Sequence, residues 1–175
     1  MDFKLARRVL AVAALTTGLA PAALWAQDLT GTLAKINDSG EIVIGHRESS
    51  VPFSYLNDQQ QPEGYSIDLC MKVVEEVDIE VRYVPVNPKT RIALMANGTI
   101  DLECGSTTNN LTRQQQVEYL PVTFVTGTKI LTRKDSGISS VADLDGKSIA
   151  LAQGTTNERA AKAAVEAQGL EGKIL

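Results

Sequence analysis

Apolar runs that alternate with helix-like segments most strongly restrict the folds open to this chain. Glu41–Gly45 is an apolar run typical of a buried strand, and Tyr65–Val77 places apolar side chains at helical spacing. The alternation continues in a strand at Ile79–Val84, a helix at Thr90–Ala96, a strand at Thr99–Cys104, a short helix capped by Thr112 with Gln115, a β-rich stretch at Thr123–Arg133, a strand at Ser148–Ala152 and a helix at Asn157–Gln168. This order predicts an α/β fold with a mainly parallel sheet.

The first 26 residues have the organisation of a secretory signal peptide. A basic start with Arg7 and Arg8 precedes an apolar run that extends to about Leu24, and Ala26 lies before a polar turn. The apolar run is shorter than the ~20 residues that span a bilayer, so a retained membrane anchor is the weaker alternative. We therefore expect residues 1–26 to be removed on export and the remaining chain to reside in the periplasm.

The charge balance limits the classes of partner. Residues 1–26 carry three of the 17 basic and one of the 21 acidic side chains, which leaves 14 basic and 20 acidic residues in the remainder. Binding to nucleic acid depends on basic patches that neutralise phosphates, so this acidic remainder argues against a nucleic acid partner. An anionic small ligand stays open, because local arginines decide the charge of a buried site.

The two cysteines leave several pairings open. Cys70 and Cys104 would reside in a compartment where thiols tend to oxidise, which allows a disulfide between them. Two buried free thiols, or pairing with a cysteine outside this sequence, are equally compatible. Two cysteines with a single histidine, His46, do not make a zinc framework, and we expect neither a metal nor a cofactor.

The loops after the predicted strands are the candidates for a binding site, because ligands of such sheets lie at the carboxyl ends of strands. Arg47, Arg91 and Arg113 stand in three of these loops, and Gly154 and Thr155 precede the last predicted helix. Guanidinium groups bind carboxylates through paired hydrogen bonds, and free N–H groups at a helix start attract anions. Convergence of the arginines predicts a ligand with more than one negative group.

Each of these features also has an ordinary structural interpretation. A single loop arginine is more often a solvated surface charge than a ligand contact. Hydroxyl residues before a helix are often only a cap and a turn. Composition and spacing therefore favour an anion site without excluding a purely structural role for these residues.

Several stretches, taken together, are similar to one known family. They are Gly45–Tyr55 (GHRESSVPFSY), Gly64–Leu69 (GYSIDL), Asn97–Asn110 (NGTIDLECGSTTNN) and Gly154–Thr156 (GTT). In this order they resemble the periplasmic glutamate/aspartate-binding protein of ABC amino-acid importers, in solute-binding protein family 3. The first and third stretches are the narrower ones and point to the dicarboxylic branch.

The resemblance implies an α/β fold of the type II periplasmic-binding-protein kind, with two lobes that close on an amino acid. Residues 27–127 would form lobe 1, residues 128–136 the hinge strand or linker, and residues 137–175 the truncated start of lobe 2. Relatives continue well beyond this point, so we expect the chain to be a fragment or a truncated product. The implied partners are L-glutamate or L-aspartate and the membrane permease of an ABC transporter, with the binding protein a monomer.

The resemblance also implies roles for individual residues. Arg113 matches the arginine that holds the ligand α-carboxylate, with Thr108 beside it and Thr156 assisting from the other lobe. Arg47 and Arg91 match the positions that hold the side-chain carboxylate. The remaining match is Ser106, which corresponds to a group that accepts from the ligand ammonium. Pro88 departs from the pattern, because relatives carry a hydroxyl there and proline offers neither a hydroxyl nor an N–H.

An enzyme on the same scaffold, for example a periplasmic dehydratase, is the alternative function. It would need a positioned acid or base, and the candidates are Glu48, Glu103 and His46. The sequence has no Gly-x-Ser-x-Gly pattern of a nucleophile elbow and no metal-ligand set. Binding without catalysis is therefore the favoured interpretation.

Overall fold

The computed structural model describes residues 29–77 and 79–175, so the predicted signal peptide lies outside the described residues. The elements, in chain order, are α1 (Gly31–Ser39), β1 (Glu41–His46), β2 (Ser49–Ser50), β3 (Ser54–Leu56), β4 (Pro62–Glu63), α2 (Tyr65–Glu75), β5 (Glu80–Pro85), α3 (Arg91–Ala96), β6 (Leu102–Cys104), α4 (Leu111–Gln114), a 3-10 turn (Ala142–Leu144), β7 (Ser148–Ile149), α5 (Thr156–Ala167) and β8 (Lys173–Ile174).

A parallel sheet with the order β5-β1-β6 forms the centre of the first part of the chain. β1 pairs with β5 from Glu41 opposite Glu80 to His46 opposite Pro85, and His46 also lies opposite Cys104 of β6. The three strands therefore end at the same edge of the sheet. The predicted parallel α/β arrangement is confirmed, and the loops that follow the strands begin side by side.

The two faces of this sheet carry separate apolar clusters, because successive side chains of a strand point to opposite faces. Ile44, which is fully buried, packs with Ile67 and Val74 of α2. Its neighbour Val43 packs on the other face with Ile100, and Leu94 of α3 adds to that cluster. Helices thus cover both faces, as the near-continuous apolar run of β1 requires.

Cys70 of α2 and Cys104 of β6 form a disulfide, which decides among the pairings that the sequence left open. Cys104 is 1% exposed and is the last residue of β6. The cross-link therefore ties α2 to the end of the strand that leads into the Gly105–Asn110 loop.

The segment between β1 and α2 folds back as a small antiparallel sheet, β2-β3-β4. The turn between β2 and β3 supplies hydrogen-bond acceptors for the start of α2. Tyr65 N donates to the Pro52 carbonyl at 3.0 Å, and Ser66 N donates to the Phe53 carbonyl at 2.8 Å. Gly64 has a φ of +126°, and a Cβ there would stand 2.7 Å from the Phe53 carbonyl carbon. Only glycine allows this close approach.

A second, smaller unit follows near the end of the chain. β7 and β8 pair in parallel, and Leu144, Ile149 and Val165 form its apolar cluster. The Thr155 hydroxyl accepts from Glu158 N at 3.0 Å and so caps α5. The predicted helix at Asn157–Gln168 is confirmed with a shift of one residue at each end.

Two local predictions are wrong. Thr123–Arg133 is not a strand: its backbone is irregular, and among the described residues no strand runs alongside it to provide the hydrogen bonds of a ladder. Thr112 does not cap α4, because the helix begins at Leu111 and the Asn110 side chain accepts from Arg113 N at 3.0 Å. Asparagine in an extended conformation is among the best caps, so it displaces Thr112 from this role.

None of the helices within the described ranges combines the length and the apolar character needed to cross a bilayer.

Candidate functional site

The carboxyl edge of the β5-β1-β6 sheet brings the three predicted arginines into one region. Arg47 follows β1 directly, Arg91 is the first residue of α3 after β5, and Arg113 lies on α4 after β6. Arg91 and Arg113 are buried, at 3% and 6% exposed, and Arg47 is half-buried. Buried arginines require partners, so their surroundings show what the site can hold.

Arg91 lies against the carboxylate of Glu103, a residue in the middle of β6. Arg91 Nη1 is 3.9 Å from Glu103 Oε1. Within the described structure, Arg91 Nη1, Arg91 Nε and Glu103 Oε1 have no hydrogen-bond partner. Burial lowers the pKa of Arg91 to about 10, while Glu103 opposes this shift and Arg113 and Arg47 add to it. Burial likewise raises the pKa of Glu103, and the Arg91 charge is the strongest opposing cause.

Arg47 reaches the loop that follows β6. Its Nη1 donates to the Ser106 hydroxyl at 3.4 Å, and Ser106 in turn donates to the Ser50 hydroxyl at 3.3 Å. The backbone is fixed below the side chain, because Arg47 N donates to the fully buried Ser54 hydroxyl at 2.9 Å. Burial lowers the pKa of Arg47 and the Glu103 charge raises it.

Arg113 connects the two units of the chain. Its Nη1 donates to the Thr108 carbonyl at 2.9 Å and its Nη2 to the Gly154 carbonyl at 3.0 Å. The hydroxyls of Thr108 and Thr156 lie 3.2 Å apart beside it. A guanidinium has five N–H donors, so these two bonds leave donors for a further acceptor.

Gly154 brings the second unit close to the first. Its φ is +83°, and a Cβ on it would stand 2.7 Å from the Pro88 carbonyl oxygen and 3.0 Å from Lys89 Cα. The turn before Arg91 is held by Asn87, whose Oδ1 accepts from Lys89 N at 2.9 Å and Thr90 N at 3.0 Å. The Thr90 hydroxyl accepts a hydrogen bond from Asn87 N at 3.2 Å. It therefore already has a partner within the turn that contains Pro88.

The predicted site residues thus form two contact groups. Arg47 contacts Ser106, and Arg113 lies with Thr108 and Thr156. Among the described residues no hydrogen bond joins Arg91 to either group, but the charges of Arg113 and Arg47 both lower its pKa.

Two cavities border this region. The larger, of about 720 Å³, is mostly apolar and is bordered by Arg91, Glu103, Ser106 and Thr108, among other residues. The smaller, of about 450 Å³, has Arg113 and Gly154 in its wall. Arg47 and Thr156 border neither cavity. The guanidinium groups therefore share one edge of the sheet and one electrostatic environment without lining a single enclosed cavity.

Two residues near the arginines had no binding role in the sequence prediction. Glu103 was considered only as a possible acid or base, yet it is the carboxylate next to Arg91. Tyr119 donates from its hydroxyl to the Thr108 carbonyl at 3.2 Å, and burial raises its pKa. Glu103 lies in the predicted strand Thr99–Cys104, where polar and apolar residues alternate, so the local sequence singles out neither Glu103 nor Tyr119.

In the described part of the chain, no group of three or more His, Cys, Asp or Glu side chains is arranged to hold a metal ion.

Comparison with known families gives a match over most of the chain. Residues 42–169 match the family described as bacterial extracellular solute-binding proteins, family 3. The matched range contains all six predicted site residues.

Two curated relatives are similar over most of this chain. The L-glutamate/L-aspartate-binding protein of Pseudomonas aeruginosa is 47% identical over 158 residues, which is 86% of this chain and 52% of that protein. The glutamate/aspartate import solute-binding protein of Escherichia coli is 46% identical over 162 residues, 89% of this chain and 53% of the relative. The chain therefore spans about half the length of the curated relatives it matches.

Solved structures agree on the fold. An ancestral amino acid-binding protein, described as a precursor of cyclohexadienyl dehydratase, superimposes with a TM-score of 0.75 at 28% identity, covering 83% of this chain and 64% of that one. A mutant of an arginine-binding protein from T. maritima gives a TM-score of 0.73 at 22% identity, covering 83% of this chain and 63% of that one, which shows the fold alone. The fold is that of type II periplasmic amino-acid binding proteins.

Proposed function

The chain belongs to the bacterial extracellular solute-binding proteins of family 3, and on this premise we propose that it is part of the binding component of an ABC importer for an acidic amino acid. The observation that carries the proposal is the group of three arginines at the carboxyl edge of the sheet, close enough to one another to shift the pKa of Arg91. The relatives at 46% and 47% identity are glutamate/aspartate-binding proteins, which supports this class of ligand and favours binding over catalysis.

The proposed ligand is L-glutamate or L-aspartate, whose two carboxylates would be shared among the arginines. Arg113, with Thr108 and Thr156 beside it, would take the α-carboxylate, because its free donors lie where the two units of the chain meet. Arg47 and Arg91 would take the side-chain carboxylate. Burying a carboxylate is costly unless it is paired, and a guanidinium supplies two parallel hydrogen bonds for that pairing.

Ser106 would accept from the ligand ammonium group. Its hydroxyl accepts from Arg47 and donates to Ser50, so it connects the loop after β6 to the segment that follows β1. The Gly105 carbonyl, its neighbour in the loop, accepts from the Ser66 hydroxyl at 2.7 Å and helps to fix the loop conformation.

The wider assignments follow from the same premise. The chain would act in the periplasm after removal of residues 1–26, as a monomer that delivers its ligand to a membrane permease, with no nucleic acid partner. Residues 27–127 would form lobe 1, residues 128–136 the connection and residues 137–175 the start of lobe 2. The separate sheets and apolar clusters on either side of that connection support this division.

Replacement of Arg47 tests the proposal. In titration calorimetry with L-glutamate, Arg47→Ala should weaken binding more than about tenfold, because losing one partner of a desolvated charge pair costs ~2–5 kcal/mol. Arg82→Ala is the matched control. Arg82 is an exposed arginine on the outer strand β5, and it pairs with Glu41 of β1. Unchanged affinity in Arg47→Ala would remove Arg47 from the site, and absence of L-glutamate binding to the unmodified chain would contradict the proposed function.

A further inference from the structure

Glu103 is a largely buried carboxylate that the proposed ligand contacts do not use. It stands in the middle of β6, its side chain is 13% exposed, and its Oε1 faces Arg91 Nη1 at 3.9 Å. A carboxylate of this kind would ordinarily be expensive to bury. Here the carboxylate lies beside the guanidinium of Arg91, which is itself buried.

The backbone is shaped to hold this carboxylate in place. A Cβ on Gly105 would overlap Glu103 Oε1 and stand 2.9 Å from Arg47 Cγ. The glutamate therefore folds back over the glycine and lies between the side chains of Arg47 and Arg91. This placement puts one negative charge within the group of guanidiniums that the ligand would meet.

The electrostatic coupling extends to all three arginines. Burial raises the pKa of Glu103, and Arg91, Arg47 and Arg113 each oppose that shift. Three guanidiniums and one carboxylate leave this group with two positive charges. An acidic amino acid brings two carboxylates and one ammonium, so the charge of Glu103 weakens, without cancelling, the attraction of this group for the ligand.

We propose that Glu103 is a specificity-determining residue, an internal counter-anion beside Arg91 and Arg47 that offsets one guanidinium charge and so limits the preference of the site for anionic over neutral side chains. The inference rests on the proposed function, because it assigns Glu103 to the same ligand site. Glu103 does not touch the ligand, and it acts by setting the charge that Arg91 and Arg47 present. Removing its charge should make the site more strongly selective for anionic over neutral side chains.

The ratio of the affinities for L-glutamate and L-glutamine measures this selectivity directly, because the two ligands are nearly isosteric. L-glutamate and L-glutamine have the same shape, so general damage to the fold weakens both alike and leaves their ratio unchanged. In Glu103→Gln the preference for L-glutamate over L-glutamine should rise at least about tenfold above that of the unmodified chain, the equivalent of ~1.4 kcal/mol. Glu103→Met should give the same shift, and it keeps the test open if the amide variant fails to fold.

The control is Glu80→Gln, which removes an exposed carboxylate on β5 and should leave the ratio unchanged. A ratio in the Glu103 variants that is equal to or below that of the unmodified chain overturns the inference while the proposed function stands. Failure of the unmodified chain to bind L-glutamate overturns the proposed function and the inference with it. Calorimetry of the three variants with both amino acids separates these outcomes.

Discussion

The Cys70–Cys104 disulfide should contribute strongly to the stability of the chain. The two cysteines are 34 residues apart, and cross-linking a loop of that size removes chain entropy from the unfolded state equivalent to about 4 kcal/mol at 25 °C. The cross-link also secures the end of β6, because Cys104 is its last residue and the loop with Ser106 follows at once. Breaking it should therefore loosen the edge that carries the candidate site.

The assay is urea unfolding of the oxidised chain, of the same chain under reductant, and of the double variant Cys70→Ala with Cys104→Ala. Reduction keeps both sulfur atoms, so the difference between oxidised and reduced protein isolates the cross-link. The double variant adds the loss of buried volume at Cys104, which is 1% exposed, and should be the least stable of the three. A free energy of unfolding that changes by less than about 1 kcal/mol on reduction would refute the reasoning.

Two further predictions concern single carboxylates. Asp101→Ala should cost about 1–3 kcal/mol of unfolding free energy, because its Oδ2 accepts from Val43 N at 2.9 Å in the central strand and the N–H would be left buried and unpaired. In denaturant unfolding, a loss below about 0.5 kcal/mol would contradict this account. Asp143→Asn should destabilise the chain at neutral pH, because hydrogen bonds from Ser139 and Ser140 lower the pKa of Asp143 to about 2 from the ordinary 3.8. A carboxyl group whose pKa is lowered in the folded state stabilises the fold above its unfolded pKa, and this stability is lost as the pH falls through the folded pKa. The difference in unfolding free energy between Asp143→Asn and the parent, measured in denaturant, should therefore shrink from pH 4 towards pH 2. A difference that stays constant over this range would exclude this origin.

Local sequence patterns predicted the elements whose formation depends on the spacing of neighbouring apolar residues. The apolar run of β1 and the helical spacing of α2 were sufficient to place both within a few residues. The rule that ligand loops follow strand ends then located the three arginines at one edge of the sheet. These inferences needed no knowledge of which distant segments meet.

Non-local contacts account for what the sequence could not provide. Thr123–Arg133 has the composition of a strand but no neighbouring strand within the described residues, so composition alone gave the wrong element. Glu103 takes an ordinary polar position in the alternating strand Thr99–Cys104, and its role depends on Arg91, twelve residues earlier in the chain and on another element. The disulfide likewise depends on how α2 packs against β6, which the spacing of two cysteines does not determine.

The central claim is that the guanidiniums at this edge of the sheet receive the two carboxylates of one small ligand. A crystal structure of the chain grown with L-glutamate tests it most directly. The account predicts the ligand α-carboxylate within hydrogen-bond distance of Arg113 and the γ-carboxylate within that distance of Arg47 or Arg91. A bound glutamate whose carboxylates contact none of these arginines would contradict it.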